Sequence, residues 1–81
     1  MPRLTATSDQ KAALIRLGDA IRARRHALQI SQEALAHASG INRTHMGEVE
    51  RGKRNVSLMS AMEIAAALNC TLSELTQQAE L

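Results

Sequence analysis

The sequence predicts an all-α fold, and three features carry that expectation. Apolar residues make up 44% of the 81 residues, yet Phe, Trp and Tyr are absent. A core built from Leu, Ile, Val, Met and Ala suits short, closely packed helices and suits a β-sandwich poorly. Apolar residues also recur at spacings of three and four in five separate segments, the period of one helix face. Finally, each segment opens on a Ser, Thr or Asn able to accept a hydrogen bond from an orphan helical amide.

Taken in order, residues 1–6 lack a pattern and read as a flexible arm. Thr7-Ser8-Asp9-Gln10 has the form of a capping box. It opens a long helix, about Ser8 to Leu28, with Leu14, Leu17, Ile21 and Leu28 on one stripe amid Arg16, Arg22, Arg24 and Arg25. Ser31 caps a second helix whose apolar face reads as Ala34, Leu35 and Ala38, and Ser39-Gly40 ends it. Asn42 caps a third, Arg43 to about Arg51, turned inward at Met46 and Val49 and ended by Gly52. Lys53-Arg54-Asn55 is a basic loop. Ser57 caps a fourth helix with Leu58, Ala61, Met62, Ala65 and Leu68 on one face, and Asn69-Cys70 breaks it. Thr71-x-x-Glu74 is a second capping box, opening a fifth helix with Leu72, Leu75 and Ala79 on one face.

The bounds are tight. Residues 7–81 fit one domain, with no room for a catalytic domain beside a binding domain. No apolar run reaches the length of a membrane span, and the N-terminus lacks the apolar stretch of a secretory signal. A lone Cys70 cannot form an internal disulfide, so the reducing cytoplasm is the expected setting. His26, His37 and His45 do not have a metal-ligand spacing, and no cofactor is expected. Cys70 reads as a small hydrophobe at a helix junction. Met46, Met59 and Met62 read as core filler or subunit surface.

Charge is distributed unevenly. Residues 1–56 hold all ten basic and five acidic residues, a net +5; residues 57–81 hold three acids and no base. One end of the molecule attracts a polyanion and the other does not. The basic end contains Gln32–Arg51, two short helices joined by a glycine turn, with a small Ala36 where the second helix crosses the first. This is the helix-turn-helix pattern, whose second helix enters the DNA major groove. Asn42, Arg43, Thr44, His45, Gly47 and Glu48 are left outward. Arg43 alone could be an ordinary solvated arginine. Glu48 either pairs with a neighbouring base of the helix or loop, or accepts from cytosine N4.

From about Leu17 to Leu75 the chain resembles the lambda-repressor-like, or xenobiotic-response-element, helix-turn-helix family. The matching pieces are Arg22, Ser31-Gln32-Glu33, Leu35-Ala36, Gly40-Ile41, Glu50-Arg51-Gly52, Ile64-Ala65 and Leu68. Within that family RTHMGEVERGKRNVSL is most similar to controller proteins of restriction–modification systems. The resemblance implies a compact five-helix domain and a sequence-specific regulator of transcription. It departs from the family at Ser39, His45 and Glu48.

Roles follow by position. The resemblance implies that Ser31 and Gln32 touch a phosphate and that Arg43 reads a guanine edge. It places Asn42, Thr44 and His45 on neighbouring bases or backbone. Lys53, Arg54, Asn55 and Ser57 would hold flanking phosphates, helped by the fourth helix dipole. Glu50 would pair with Arg22. The expected partners are double-stranded DNA, a second copy of the chain and, at a promoter, RNA polymerase, with no membrane. The apolar surplus of the C-terminal half suggests a homodimer through Met59, Ile64, Leu72 and Leu75 on a pseudo-palindromic operator. A fifth helix folded back over its own core is the alternative. An antitoxin that binds a toxin and regulates its own operon is the second functional reading.

Overall fold

Local signals at the chain's turns set the element boundaries in the computed structural model, which describes residues 7–81. The helices are α1 (Thr7–Ala27), α2 (Gln32–Ser39), α3 (Arg43–Glu50), α4 (Leu58–Ala67) and α5 (Leu72–Gln78). No strand occurs among the described residues. The arm at residues 1–6, and the Thr7 side chain on which the first capping box rests, lie outside the described residues. The other four caps form as read. The Ser31 hydroxyl accepts from the Ala34 amide at 2.9 Å, Asn42 Oδ1 from the His45 amide at 2.7 Å, and the Ser57 hydroxyl from the Ser60 amide at 3.0 Å. Thr71 and Glu74 complete a reciprocal box, at 3.0 Å and 2.9 Å. Hydrogen bonds from the Thr71 amide and hydroxyl hold the Glu74 carboxyl below the usual carboxylate range.

Helix ends are equally local. Gly40 takes a left-handed φ of 70°, which lets the Ile41 amide donate back to the Ala36 carbonyl at 3.0 Å and turns the chain sharply into α3. Gly52, at φ 71°, does the same after α3, with the Lys53 amide donating to the Glu48 carbonyl at 2.9 Å. Asn69 ends α4 at φ 57°, a conformation its short polar side chain tolerates.

The five helices enclose one apolar cluster. Ile21, Leu35, Met46, Val49, Ile64, Leu68 and Leu75 are each at most 2% exposed. α2 packs on α3 and α4, α1 on α3 and α5, and α4 on α5. Cys70 and Ile41 pack at the margin of the cluster. Burial pushes the Cys70 thiol up, as suits a small hydrophobe at a helix junction.

Two helices, α2 and α4, are rotated from their sequence-predicted faces, and α1 ends before its predicted stripe does. α2 buries Leu35, Ala36 and Ser39 while Ala34 and Ala38 face solvent. The buried Ser39 hydroxyl donates to the Leu35 carbonyl at 2.8 Å, which removes the cost of its burial. In α1 the stripe holds at Leu17 and Ile21, but Leu28 lies beyond the helix in the turn and is exposed. α4 departs most. Ala61, Ile64, Ala65 and Leu68 are buried, whereas Leu58 and Met62, expected inward, are 65% and 48% exposed. Ile64 and Leu75, expected at a subunit interface, are both fully buried in the monomer core. α4 is apolar almost all round, so its period defines no single inward face; the packing of α2 and α5 selects one.

Two features fix α3 against α1. Gly18 faces the last turn of α3, where an added Cβ would stand 2.5 Å from the Glu50 carbonyl oxygen and 2.6 Å from that of Val49. Alongside, the Glu50 carboxylate is 2% exposed and takes a two-pronged bond from Arg25, with Nε at 2.8 Å and the second terminal nitrogen at 3.0 Å. Arg25 also donates to the Ile30 carbonyl at 3.1 Å, and Gln32 donates to Glu50 at 3.2 Å. Arg22, the expected partner of Glu50, instead pairs with Asp19 on its own helix at 2.7 Å.

Two stability outcomes follow. In a solvated helix Gly→Ala stabilises by up to about 1 kcal/mol. Gly18→Ala should reverse that sign and destabilise by about 1–3 kcal/mol, because the clashing atoms are backbone and cannot swing away. Glu50→Ala should cost about 3–5 kcal/mol, because it leaves the Arg25 guanidinium largely buried without its counter-charge. Urea denaturation midpoints check both; a neutral or stabilising result would contradict the close approach in one case and the buried pair in the other.

Candidate nucleic-acid interface

The recognition unit is α2, the Gly40-Ile41-Asn42 turn and α3. Its inner side is fixed by Leu35, Ala36, Met46 and Val49, all at most 2% exposed. Helical geometry then decides what α3 presents outward. Arg43 and Thr44 stand exposed in its first turn, and Glu48 and Arg51 follow Thr44 at four and seven residues, on the same face. His45 is half-buried. Gly47, read as outward, is buried: an added Cβ would lie 3.2 Å from an Arg51 terminal nitrogen and 3.3 Å from Gln32 Oε1.

Several sequence-predicted contact residues already carry structural duties. Ser31, Asn42 and Ser57 use their side-chain oxygens as helix-cap acceptors. The two hydroxyls keep an O–H that can still be donated. Gln32 is half-buried and gives one amide hydrogen to Glu50, leaving a second donor. Its position beside the buried ion pair therefore anchors the opening of α2 against α1 and α3. Arg43, Thr44, Lys53, Arg54 and Asn55 are exposed.

Two grooves connect these groups. One is lined by Gln32, Arg43, Thr44, Gly47 and Arg51, between the start of α2 and the face of α3. The other runs between α1, which contributes Lys11, Leu14 and Ile15, and the end of α3 with its following loop, which contributes Arg51, Lys53, Arg54 and Asn55. Arg51 lines both, so the basic groups form one continuous track. Neither Arg51 nor Lys11 is among the contact residues that the sequence predicts. Their shared face appears only when α1 crosses the end of α3. The loop itself is tied down by the Lys53 amide bond to the Glu48 carbonyl. Arg54 Nε donates to Glu48 Oε1 at 3.0 Å, the loop-base partner among the readings open for that carboxylate.

Among the described residues no cluster of three His, Cys, Asp or Glu side chains is arranged to hold a metal. The described helices also include none long and apolar enough to cross a membrane.

The comparisons with known proteins agree with this geometry. The helix-turn-helix family pattern matches residues 21–75. The control protein C.SmaI of Serratia marcescens is 42% identical over 59 residues, 73% of this chain and 70% of that protein. The control protein C.MunI of a Mycoplasma species is 40% identical over 67 residues, covering 82% and 90% of the two chains. Among solved structures, the restriction-modification controller protein C.AhdI of Aeromonas hydrophila superposes with a TM-score of 0.75 at 45% identity, over 76% of this chain and 94% of that one. With the two-helix unit, its turn glycine and its caps all in place, this chain belongs to the helix-turn-helix family, alongside the restriction-modification controller proteins.

Proposed function

We propose that this protein is a sequence-specific regulator of transcription that binds double-stranded DNA through α3, as a homodimer, and controls genes of a restriction–modification system. One observation carries the reading: the exposed first turn of α3, with Arg43 and Thr44, opens onto the basic track of Arg51, Lys53 and Arg54. A helix start of that kind is what meets base edges in the major groove, and flanking cations hold the phosphates. Family membership supports a DNA-binding regulator rather than an enzyme. Such a regulator works in the cytoplasm, next to RNA polymerase at its promoter.

Arg43 reads a base and Arg54, Lys53 and Asn55 hold phosphate. Ser31 and Ser57 serve with their free O–H, and Gln32 with its second amide hydrogen. Asn42 shapes the helix start, and Thr44 and His45 stand beside Arg43. Dimerisation uses the apolar residues that the core leaves out. Leu58, Met59 and Met62 are 65%, 62% and 48% exposed on α4, and Leu72 is half-buried on α5. With Ile64 and Leu75 withdrawn into the core, the subunit contact moves to this α4 surface. An exposed apolar patch of that kind marks an interface, and a two-fold axis through it sets two α3 helices about 34 Å apart on DNA.

Selection from a random duplex pool should yield a pseudo-palindrome. Against it, Arg43→Ala should cost about 1–3 kcal/mol and relax the base preference at one position per half-site. Arg54→Ala should weaken cognate and scrambled duplexes alike and make the salt dependence shallower. Competition titrations distinguish the two; equal losses for Arg43→Ala on both duplexes would remove its base-reading role. Sedimentation equilibrium at micromolar concentration should find a dimer, and Met59→Glu should shift it to monomer with the fold retained. A wild-type monomer satisfied by one half-site would refute the dimer.

A further inference from the structure

Glu48 is the single carboxylate on the outer face of α3, among Arg43, Arg51, Lys53 and Arg54. Its Oε1 accepts from Arg54 Nε at 3.0 Å, and its side chain remains 35% exposed. Among the described residues no hydrogen bond reaches its Oε2. The backbone around it is held independently, since the Lys53 amide donates to the Glu48 carbonyl at 2.9 Å. The loop after α3 therefore keeps its course without the carboxylate. What the carboxylate changes is charge: it lowers the local positive potential that a phosphate meets at Arg54, and it puts an acceptor with free lone pairs on the face that meets base edges.

Resting on the DNA-binding reading above, we propose that Glu48 is a discriminating residue: it weakens the protein's grip on any duplex and recovers that loss where a cytosine amino group meets its free oxygen in the major groove. The chemistry selects cytosine. Guanine and thymine offer acceptors there, which repel a carboxylate, and adenine sets N7 beside its amino group. Cytosine N4 is a donor without an adjacent acceptor on its own ring. Specificity then comes from a penalty on wrong duplexes as much as from attraction to the right one. Arg54 contributes in both states. Among the described residues its terminal nitrogens meet no hydrogen-bond acceptor, so they are available to phosphate while Nε stays on Glu48.

Glu48→Gln tests this cleanly, since the amide oxygen can still accept from Arg54 Nε while the charge is lost and an NH2 donor replaces the free Oε2 acceptor. Duplex selection with wild-type protein comes first. If no sequence is enriched, the DNA-binding reading itself fails. If a site emerges, it should contain one cytosine per half-site that Glu48→Gln no longer requires, with discrimination there falling by roughly fivefold or more. Affinity for scrambled duplex should rise by about three- to fivefold, the size of one exposed ion pair. The slope of log affinity on log salt should steepen by up to roughly 0.9 for each bound protomer. Glu48→Ala should show the same gain on scrambled DNA, with Arg54 less ordered. A wild-type site with no dependence on cytosine, or equal changes on cognate and scrambled duplexes in Glu48→Gln, would overturn the proposal and leave DNA binding standing.

Discussion

The Glu50 carboxylate is the point on which the recognition unit is hung. It is buried at the end of α3, and a buried carboxylate is tolerated only when its charge and lone pairs are answered. Arg25 of α1 answers with two nitrogens and uses a third on the Ile30 carbonyl; Gln32 at the opening of α2 supplies another donor. One carboxylate thus ties together α1, the loop that follows it, α2 and α3. Because such pairs are directional, they fix rotation and axial position, which apolar contacts alone leave loose. Gly18 supplies the matching steric condition by letting α1 meet the α3 carbonyls at van der Waals range.

A rigid α3 matters for the proposed base reading, which turns on fractions of an ångström at side-chain tips. The caps contribute to the same end. Ser31, Asn42 and Ser57 hold their helix starts with side-chain oxygens. The groups left over at those starts are amides and O–H donors, which suit an anionic partner. The core and the proposed DNA-facing surface are therefore opposite sides of the same helices.

The charge asymmetry has a structural counterpart. Basic residues gather where α1, α3 and the following loop meet, and the exposed apolar residues of α4 lie in the segment without a base. The molecule offers one region to a polyanion and another to an apolar surface. The Glu48–Arg54 pair moderates the first, so the basic track is not uniformly attractive to phosphate.

The amino-acid sequence by itself determined the caps that open α2 to α5, the glycine turn between α2 and α3, the reciprocal box at Thr71 and Glu74, and the basic bias of the first two-thirds of the chain. These depend on residues within five positions of one another, or on counting. Tertiary structure alone decided which of two arginines on the same helix meets Glu50. Arg22 and Arg25 are one turn apart, and the choice rests on how α1 slides and rotates over α3. It likewise decided the face of α4. That helix is apolar on nearly every side, so Ile64 went into the core and Leu58 and Met62 came out only because α2 and α5 occupy one side of it. Gln32's tie to Glu50 and the place of Arg51 and Lys11 on the basic track have the same origin: each depends on elements far apart in sequence that meet only when the helices pack.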